Sequence, residues 1–586
     1  MSNKLSNLIA LLLLVIMAVL AYTSMTKASL TFDEKAHIPA GYSYLTQQDY
    51  RVNPEHPPLV KDASAFPLLF IQPNFPDDKP VWENADPSVW WTQFNLGEKF
   101  LFNSGNNAER LIRWARVPMI GILILFGAVL YYWIKKLKGN KIALLTLTFF
   151  SFSPTLLAHG RLVTNDVAAA FGFVFATLFW LKWLKKPNWK NVLLAGVATG
   201  VALLIKFSVV LFVPLAIIIT IAYAWLYQKS LVRYLALGLA AGLIGLALIW
   251  VVYQLHVMNY PIEKQLAHTK SALASNENPL QPLTIWMAGT PGFRGIAHYL
   301  TGLLMATQRT AQGNSVYLMG MISGSGWWFY FPLVYFIKLP LAFHILTLLT
   351  IIGATYYSGK AFWVNSWQRL KSCLRRNFGL FTATLFIAIY WFTSIQGNLN
   401  IGVRHILPTL PFVYLLIATG IAFIFKKIKK SSVEIGAALL LIGLLAWYVG
   451  VSVAAWPHYL TFFNITGGGQ EQGYHYVVDS NYDWGQDLKR LENWVEENKV
   501  DKIYLDYFGG ADPAYYLGDK YKEWKAQASP SEVPKGSYIA ISINQLQGGR
   551  AYALPNYNGP SGHYRWVKDE KLVGRAGNTI FIFQID

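Results

Sequence analysis

The sequence predicts a polytopic all-α membrane domain followed by a small soluble α/β domain. Only 14% of the 586 residues are charged and 54% are hydrophobic, whereas an ordinary soluble domain has roughly 25% charged residues. Apolar stretches of about 20 residues, the length that spans a bilayer, recur along the chain. After Trp456 the composition becomes that of a soluble domain. We therefore place the membrane domain at 1–456 and the α/β domain at 457–586.

About eleven apolar segments have the length of a transmembrane helix. They are 6–25, 116–134, 141–158, 164–183, 191–206, 208–228, 232–256, 328–356, 378–396, 406–425 and 433–456. The first is expected to be an uncleaved span rather than a signal peptide, because many more spans follow it. The segments at 141–158 and 191–206 are short for a span.

Basic clusters between the spans predict the orientation of the chain, since Lys and Arg mark cytoplasmic loops. The clusters lie in alternate connections, at 135–141, 182–190, 228–233, 367–377 and 426–430. Placing them in the cytoplasm puts the N-terminus inside and the tail outside, together with two long outer segments at 26–115 and 257–327. This placement of the net charge of +19 argues against nucleic acid as a partner. The single cysteine, Cys373, permits no intramolecular disulfide.

The pattern within the tail is that of a small α/β domain. Residues 483–499 have the periodicity of an amphipathic helix. Three runs rich in β-branched and aromatic residues predict strands at 502–508, 536–543 and 579–585. In the first outer segment, residues 87–102 predict a helix that lies in the membrane interface.

Two acidic sites stand at the outer ends of predicted spans. "SLTFDEKAHIPAGYSYL" (29–45) contains Asp33 and Glu34, and "AHGRLVTNDVAAAF" (158–171) contains Arg161 and Asp166. Carboxylates at membrane depth are costly and mark functional sites. Two of them on one face can share a pocket, one acting as base and the other orienting a partner. The alternative is that Asp33 and Glu34 are interfacial charges or cap a helix.

A third acidic site is Glu55-His56-Pro57-Pro58, within "RVNPEHPPLVK" (51–61). The prolines restrict the backbone, so the side chains before them are held rigidly. The alternative is a surface turn. Glu55 and His56 could also contribute to a divalent-metal site, although the sequence shows no complete ligand set.

Cations at the outer ends of spans are unusual, because Lys and Arg concentrate on the cytoplasmic side. Lys206, Arg116 and the pair Arg404-His405 occupy such positions. A single one of them could simply extend to the headgroups. Several of them on one face, beside acidic loops, favour a phosphate-binding role.

These motifs, in this order, resemble a known family. They are "DEKAH", "EHPPL", the stretch 113–170, "LLIKFSVVLFVP" and "RHILPTLPFVYL". Over about residues 1–425 the chain resembles the GT-C class of integral-membrane glycosyltransferases, and in particular glycosyltransferase family 39, the protein O-mannosyltransferases and the lipid A aminoarabinose transferases. The segment 459–491 resembles the tail of bacterial phospholipid-carrier-dependent glycosyltransferases.

The resemblance implies a GT-C fold, a polyprenyl-phosphate sugar as donor and roles for particular residues. The implied catalytic residues are Asp33 as base, Glu34 and Asp166. Residues expected to bind the donor phosphate are Lys206, Arg404, His405, His56, Arg116 and Arg161. Glu55, His37 and Lys35 are expected to line the donor or acceptor pocket. Ala36 and His56 replace an arginine and a lysine of the family pattern, so we expect neighbouring basic groups to take over.

The leading hypothesis is an inverting glycosyltransferase at the outer face of a bacterial inner membrane. Its acceptor is a hydroxyl group of a protein, lipid or glycan, and a divalent metal is possible but no cofactor is certain. The alternatives are a transporter or lipid-linked sugar flippase, and a non-catalytic scaffold. In the tail, Asp479, Asp483 and Asp487 form either an acceptor or metal site, or a helix cap with a solvated face.

Overall fold

The structure is a computed structural model that describes residues 1–358, 366–525, 533–568 and 571–585. Within these ranges nine helices are long and apolar enough to cross a membrane. They are Asn3–Met25, Ala108–Lys138, Asp166–Lys185, Phe207–Tyr227, Leu231–His256, Leu341–Ser358, Phe378–Gln396, Val403–Lys427 and Ser431–Ala454. The predicted multi-pass helical membrane domain is thus confirmed.

The predicted count of about eleven spans is not confirmed by the described helices. The segment predicted at 141–158 divides into Asn140–Ser151 and Pro154–His159, because the Ser153 side chain caps a new helix that begins with proline. The helix Trp189–Leu203 has only 15 residues. In the segment predicted at 328–356, Tyr330–Lys338 ends before Pro340, and Leu341–Ser358 follows as a separate span.

The basic clusters gather at one end of the helix bundle. Lys135 Nζ donates to the side chain of Asn7 near the N-terminus, over 2.7 Å. Tyr227 donates its hydroxyl to the carbonyl of Arg375, which joins the clusters at 228–233 and 367–377. Cys373 lies in the helix Ser366–Arg376 at this same end and is exposed. The alternation of basic connections therefore corresponds to one physical end of the bundle.

The two outer segments fold into short helices at the opposite end. The first contains Phe32–Gln47, Leu59–Ala65, Leu68–Ile71, Pro80–Glu83 and Thr92–Phe102. The second contains Ile262–Ala272, Gln281–Ala288, Arg294–Gln312 and the strands Val316–Leu318 and Met321–Ser323. Asp62 and His256 join the first segment to a span, with 2.9 Å between the carboxylate oxygen and Nε2. The outer segments thus form a packed layer over the ends of the spans.

The tail contains the predicted α/β arrangement. Five of its described strands form one sheet, in the order Tyr521–Glu523, Ile503–Asp506, Tyr538–Ser542, Ile580–Gln584 and Leu572–Ala576. The first three strands run parallel, and the last two are antiparallel to their neighbours. The helix Leu488–Glu497 packs against the last strand. The three strands and the helix predicted from the sequence are confirmed.

The tail packs closely on the membrane domain. Tyr459, Leu460 and Trp484 belong to the same buried hydrophobic cluster as the spans. Lys338 Nζ donates to the carbonyls of Leu460 and Asn481 over 2.8 and 2.6 Å. The short strand Tyr552–Ala553 also pairs in parallel with Met321–Ser323 of the second outer segment. The tail therefore covers the end of the bundle at which the outer segments lie, and the domain boundary at 457 remains a prediction.

Candidate active site

The helix Phe32–Gln47 carries the first acidic site in its opening turn. Thr31 caps this helix, and Glu34 completes a capping box by accepting hydrogen bonds from the backbone and hydroxyl of Thr31, both 2.9 Å long. Asp33 lies in the same turn, where the helix dipole favours a negative charge. Its side chain is 22% exposed, so it is available to a ligand.

The four-charge network consists of Asp33, Asp166, Lys206 and Arg404. Arg404 Nη1 lies 2.7 Å from Asp33 Oδ2 and 3.6 Å from Asp166 Oδ2. Lys206 Nζ lies 2.6 Å from Asp166 Oδ1. The Asp166 side chain is only 2% exposed, so this carboxylate contacts Lys206 and Arg404 on their buried side, while Asp33 faces outward. The structure thus brings together residues that are up to 371 positions apart in the sequence.

Each member of the network stands at the end of a helix. Asp166 opens the span Asp166–Lys185, and the preceding Asn165 donates to the carbonyl of Ile205 over 3.0 Å. This bond fixes the chain next to Lys206, which precedes a 3₁₀ helix. Arg404 lies in the short 3₁₀ turn that opens another span. The indole of Trp484, from the tail, packs 4.3 Å from the Arg404 guanidinium carbon.

Two imidazoles lie at or beside positions where the family pattern has basic residues. His56 replaces the lysine, and His37 follows Ala36, which replaces the arginine. The ring centroids of His37 and His56 are 5.2 Å apart. His37 Nδ1 lies 2.9 Å from the carbonyl of Val163, so Nδ1 carries the proton and Nε2 is left as an acceptor. Burial lowers the pKa of His37, and it lowers that of His56 well below its ordinary value. Both rings are therefore neutral at neutral pH. The His56 ring can donate a hydrogen bond to a phosphate, whereas Nε2 of His37 can only accept one, for example from a sugar hydroxyl.

Glu55 is held at the edge of this group by the second outer segment. Its Oε2 accepts a hydrogen bond from Arg309 Nη1 over 2.9 Å, and the Arg309 guanidinium packs 4.2 Å from the ring centroid of Trp90. Burial raises the pKa of Glu55, and the charge of Arg309 opposes that rise. Glu55, which is predicted to line the pocket, thus lies where the first outer segment contacts the second.

Lys61 anchors the loop that carries Glu55 and His56. Its buried ammonium group donates to the hydroxyl of Tyr44 over 2.7 Å and to the carbonyls of Asn53 and His56, both over 2.8 Å. Burial lowers the pKa of Lys61 well below its ordinary value. This lysine does not reach the four-charge network, so it positions the loop.

Glu34 and Arg116, predicted as catalytic and phosphate-binding, instead form a sealed pair. Arg116 Nε and Nη2 donate to the two oxygens of Glu34 over 2.8 and 2.6 Å. The rest of the guanidinium donates to the carbonyls of Met25, Ala28 and Ser29. Both side chains are at most 2% exposed. Their hydrogen-bonding capacity is used within the fold, so the geometry gives neither of them access to a substrate.

Arg161 and Lys35 also point away from the network. Arg161 is buried near the ring of Tyr459, and its Nε and Nη1 atoms have no hydrogen-bond partner in the part of the chain that the structure describes. Burial, followed by the repulsion of Arg116, lowers the pKa of Arg161 to about 9. Lys35 forms an ion pair with Glu98. Of the predicted phosphate-binding residues, Lys206 and Arg404 are the ones with charged groups in the network, and His405 adjoins them.

The tail aspartates divide into two groups. Asp487 is buried and accepts from the backbone of Asn578 and Thr579, at 2.9 and 3.1 Å. Asp483 accepts from the backbone of Gly485 and Asn544, and burial raises its pKa to about 8. Asp479 is partly exposed and has a φ of 57°. Asp483 and Asp487 therefore hold the tail together, whereas Asp479 faces an open space.

Sequence reasoning missed three residues of this site. Arg309 lies in "ATQRTAQG" of the second outer segment, and no local pattern predicts its pairing with Glu55. Lys61 stands at the end of the "EHPPLVK" motif and could have been suspected from that spacing. Trp484 belongs to the tail, and no local pattern indicates that it packs on a span. Contacts between distant segments have no signal in a single sequence.

The described residues contain no group of three or more His, Cys, Asp and Glu side chains that could hold a metal ion. The possible divalent metal near Glu55 and His56 thus has no ligand set in those ranges.

Comparison with known families gives one match within the membrane domain. Residues 106–252 match the family described as dolichyl-phosphate-mannose-protein mannosyltransferase. The predicted resemblance is confirmed. The segment that matches this mannosyltransferase family includes Asp166 and Lys206, which are half of the four-charge network, and it supports glycosyl transfer as the activity of the chain. No curated protein matches the chain.

Several solved structures are similar at low sequence identity. ArnT from Cupriavidus metallidurans, bound to undecaprenyl phosphate, gives a TM-score of 0.43 at 12% identity, over 98% of this chain and 97% of that one. The Archaeoglobus fulgidus oligosaccharyltransferase gives 0.47 at 11% identity, over 92% and 70%. The Saccharomyces cerevisiae Pmt1-Pmt2 complex, bound to the sugar donor, gives 0.32 at 16% identity, over 44% and 34%.

Proposed function

We propose that this chain is an inverting glycosyltransferase that moves a sugar from a polyprenyl-phosphate carrier to an acceptor hydroxyl. The observation that carries the proposal is the four-charge network. One accessible carboxylate, Asp33, stands beside two cations, Lys206 and Arg404, which a buried second carboxylate holds in place. The match to a family named for a dolichyl-phosphate sugar supports a lipid-phosphate donor.

Asp33 is the proposed general base. It removes the proton from the acceptor hydroxyl as the hydroxyl oxygen attacks the anomeric carbon of the donor sugar. The bond between that carbon and the phosphate oxygen breaks on the opposite face, so the anomeric configuration inverts. The carrier phosphate leaves with an additional negative charge, and no general acid is required because phosphate is a good leaving group.

Lys206 and Arg404 are the proposed phosphate ligands. Fixed positive charges at the point where negative charge develops lower the barrier, because they need no reorganisation during the reaction. The neutral ring of His56 donates a hydrogen bond to the phosphate, and Nε2 of His37 accepts one from a sugar hydroxyl. Glu34 and Arg116 are assigned a positioning role, since their sealed pair fixes the helix turn that carries Asp33.

The proposed location is the bacterial inner membrane, with the site and the tail on the outer face and the N-terminus in the cytoplasm. The clustering of basic connections at the end opposite the site supports this orientation. The same geometry disfavours a transporter or flippase, whose ionisable groups are expected near the bilayer midplane rather than at one end.

The test is a transfer assay with purified full-length protein in lipid nanodiscs. A panel of radiolabelled polyprenyl-phosphate sugars is offered with membrane and protein extracts as acceptors. Asp33→Asn is expected to retain donor binding and to lose transfer by about 10²- to 10⁴-fold, as expected when a general base is removed. Asp77→Asn, an exposed aspartate of the same outer segment, is the matched control. Equal transfer by the two variants would remove Asp33 from the mechanism.

A further inference from the structure

A cavity of about 740 Å³ lies between the tail and the two outer segments. Small-molecule sites commonly have volumes of roughly 300–1,000 Å³. Lys35 and Glu98 of the first outer segment line it, as do residues 314–317 and Ile322 of the second. Tyr330, Asn400 and the tail supply the remaining walls. None of the reaction steps proposed above uses this space.

The cavity adjoins the proposed catalytic base. Lys35, in its lining, follows Asp33 by two positions on the same helix. Phe508, also in the lining, stacks on Phe32 with ring centroids 5.3 Å apart and planes within 8°. Asp479 extends the lining towards Arg404, whose positive charge opposes the rise that burial causes in the pKa of Asp479. A ligand in the cavity therefore lies next to the turn that carries Asp33.

The charges of the lining disfavour an anionic ligand. Among the described lining residues, the carboxylates are Glu98, Asp479, Asp506, Asp512 and Glu523, and the ammonium groups are those of Lys35 and Lys525. Two of these carboxylates are paired with the two lysines. The other three carboxylates have no lysine partner in the described lining, so the formal charge of the lining is negative. Carboxylate oxygens can accept hydrogen bonds from hydroxyl groups.

Aromatic rings and unsatisfied polar atoms complete the lining. Tyr507, Phe508, Tyr521, Trp524 and Tyr557 contribute rings, which present apolar faces to a ligand. Asn400 Nδ2 and His563 Nδ1 are buried and have no hydrogen-bond partner in the described parts of the chain. Buried polar groups of this kind normally find a partner, so these two atoms point to a ligand or to water that they bind.

We propose that this cavity binds a neutral saccharide whose hydroxyl group is the sugar acceptor. The inference rests on the proposed function, because it makes the ligand the second substrate of the same site. Converging polar side chains from three parts of the chain, together with aromatic rings, suit a compact, hydroxyl-rich ligand.

The test measures saccharide binding to the full-length protein in nanodiscs by saturation-transfer NMR and calorimetry. The probes are neutral gluco-, manno-, galacto- and chito-oligosaccharides, with a uronic-acid oligosaccharide and a lysine-rich peptide for comparison. At least one neutral oligosaccharide is expected to bind, and the uronic-acid probe is expected not to bind. The saccharide that binds is then offered free and attached to a lipid. Tighter binding of the lipid form assigns a lipid-carried acceptor, and equal binding assigns one from the water side.

Asp479→Asn is the diagnostic variant. It removes the charge but keeps the shape, and asparagine tolerates the φ of 57° at this position. Saccharide affinity is expected to fall roughly tenfold, because a hydrogen bond to a charged group is lost. Asp519→Asn, an exposed aspartate of the tail that does not line the cavity, should leave the affinity unchanged.

A second measurement, of undecaprenyl phosphate binding, separates this inference from the proposed function. Carrier binding without saccharide binding would overturn the inference and leave the proposed function standing. Saccharide binding without carrier binding would remove the proposed function, and with it the acceptor role. Saccharide affinity that is equal in Asp479→Asn and wild type, or binding of the peptide alone, would also overturn the inference.

Discussion

At the scale of single residues, the acidic pair Asp33-Glu34 shows how two adjacent carboxylates acquire different roles. Asp33 is partly exposed and contacts Arg404, whereas Glu34 is fully buried against Arg116. Successive residues of a helix point in directions about 100° apart, so one faces the site and the other faces the interior. The role of each carboxylate follows from what lies on its side of the helix.

Glu34→Gln is expected to destabilise the protein strongly at neutral pH. Removing one member of a buried ion pair leaves the other charge uncompensated, which typically costs about 3–5 kcal/mol. The measurement is thermal unfolding in detergent, with Glu83→Gln at an exposed position as the control. The double variant Glu34→Gln/Arg116→Met is expected to recover part of the loss, since no buried charge remains. A loss no larger than that of the control would contradict the assignment of a sealed pair.

The difference in stability between wild type and Glu34→Gln depends on pH with a defined sign. Burial raises the pKa of Glu34, but the charge and hydrogen bonds of Arg116 outweigh it, and the pKa in the folded protein is lowered. The contribution of the pair to stability is therefore complete above the unfolded-state pKa of about 4.3. It is lost as the pH falls through the lower folded-state value. The wild type and Glu34→Gln should differ fully at neutral pH and converge in acid.

At the scale of elements, the loop 50–58 depends on one buried ammonium group. Lys61→Met is expected to lower kcat/KM by between 10- and 100-fold, mainly through KM for the donor, because a small displacement of positioning groups has effects of that size. The carbonyls of Asn53 and His56 would lose their donor, and Glu55 and His56 would shift. Steady-state kinetics test this, with the exposed Lys79→Met as control. An unchanged KM would show that the loop keeps its position without Lys61.

The contact between the tail and the helix Phe32–Gln47 depends on a glycine. A Cβ at Gly510 would lie 2.2 Å from the carbonyl oxygen of Thr31. Because the clashing atom belongs to the backbone, a side-chain movement cannot relieve this contact. Gly510→Ala should therefore push the tail away from the turn that carries Asp33, at a cost of about 1–3 kcal/mol. Both melting temperature and transfer rate are expected to fall. Gly443→Ala, where an added methyl meets nothing within 4 Å, is the control. Wild-type behaviour of Gly510→Ala would contradict this close approach.

At the scale of the whole molecule, the tail and the spans share one buried core. A chain truncated after Trp456 would expose the surface that Tyr459, Leu460 and Trp484 now cover, and Arg404 would lose its indole partner. We expect such a chain to lose transfer activity and to aggregate on solubilisation, measured by radiolabel transfer and by size-exclusion chromatography. The full-length chain with an exposed substitution, Lys499→Met, is the control. A well-behaved truncated chain that still transfers sugar would show that the tail is dispensable.

Much of the fold could be predicted from the sequence, since the apolar runs and basic connections are local signals. The prediction failed where a span is interrupted, as at Pro340, because length and hydropathy alone do not place a helix break inside an apolar run. The tail strands were predicted because their runs of β-branched and aromatic residues are local as well.

The candidate site could be predicted only in part. Asp33, Asp166, Lys206 and Arg404 were named from their positions at span ends, and the structure brings them together. Glu34, Arg116 and Arg161 have the same kind of sequence context, yet all three are buried away from the network. Which side of a helix faces the interior depends on the packing of distant segments, and a single sequence does not contain that information.

The bridging position of Arg404 has a consequence for the order of the reaction. The Arg404 guanidinium neutralises Asp33 while remaining close to Asp166. An arriving phosphate competes for the same guanidinium and thereby releases the Asp33 carboxylate. We therefore expect an ordered sequential mechanism, in which the carrier-linked sugar binds first and the base becomes competent only afterwards. Such coupling would keep the acceptor hydroxyl unactivated until there is a sugar for it to attack.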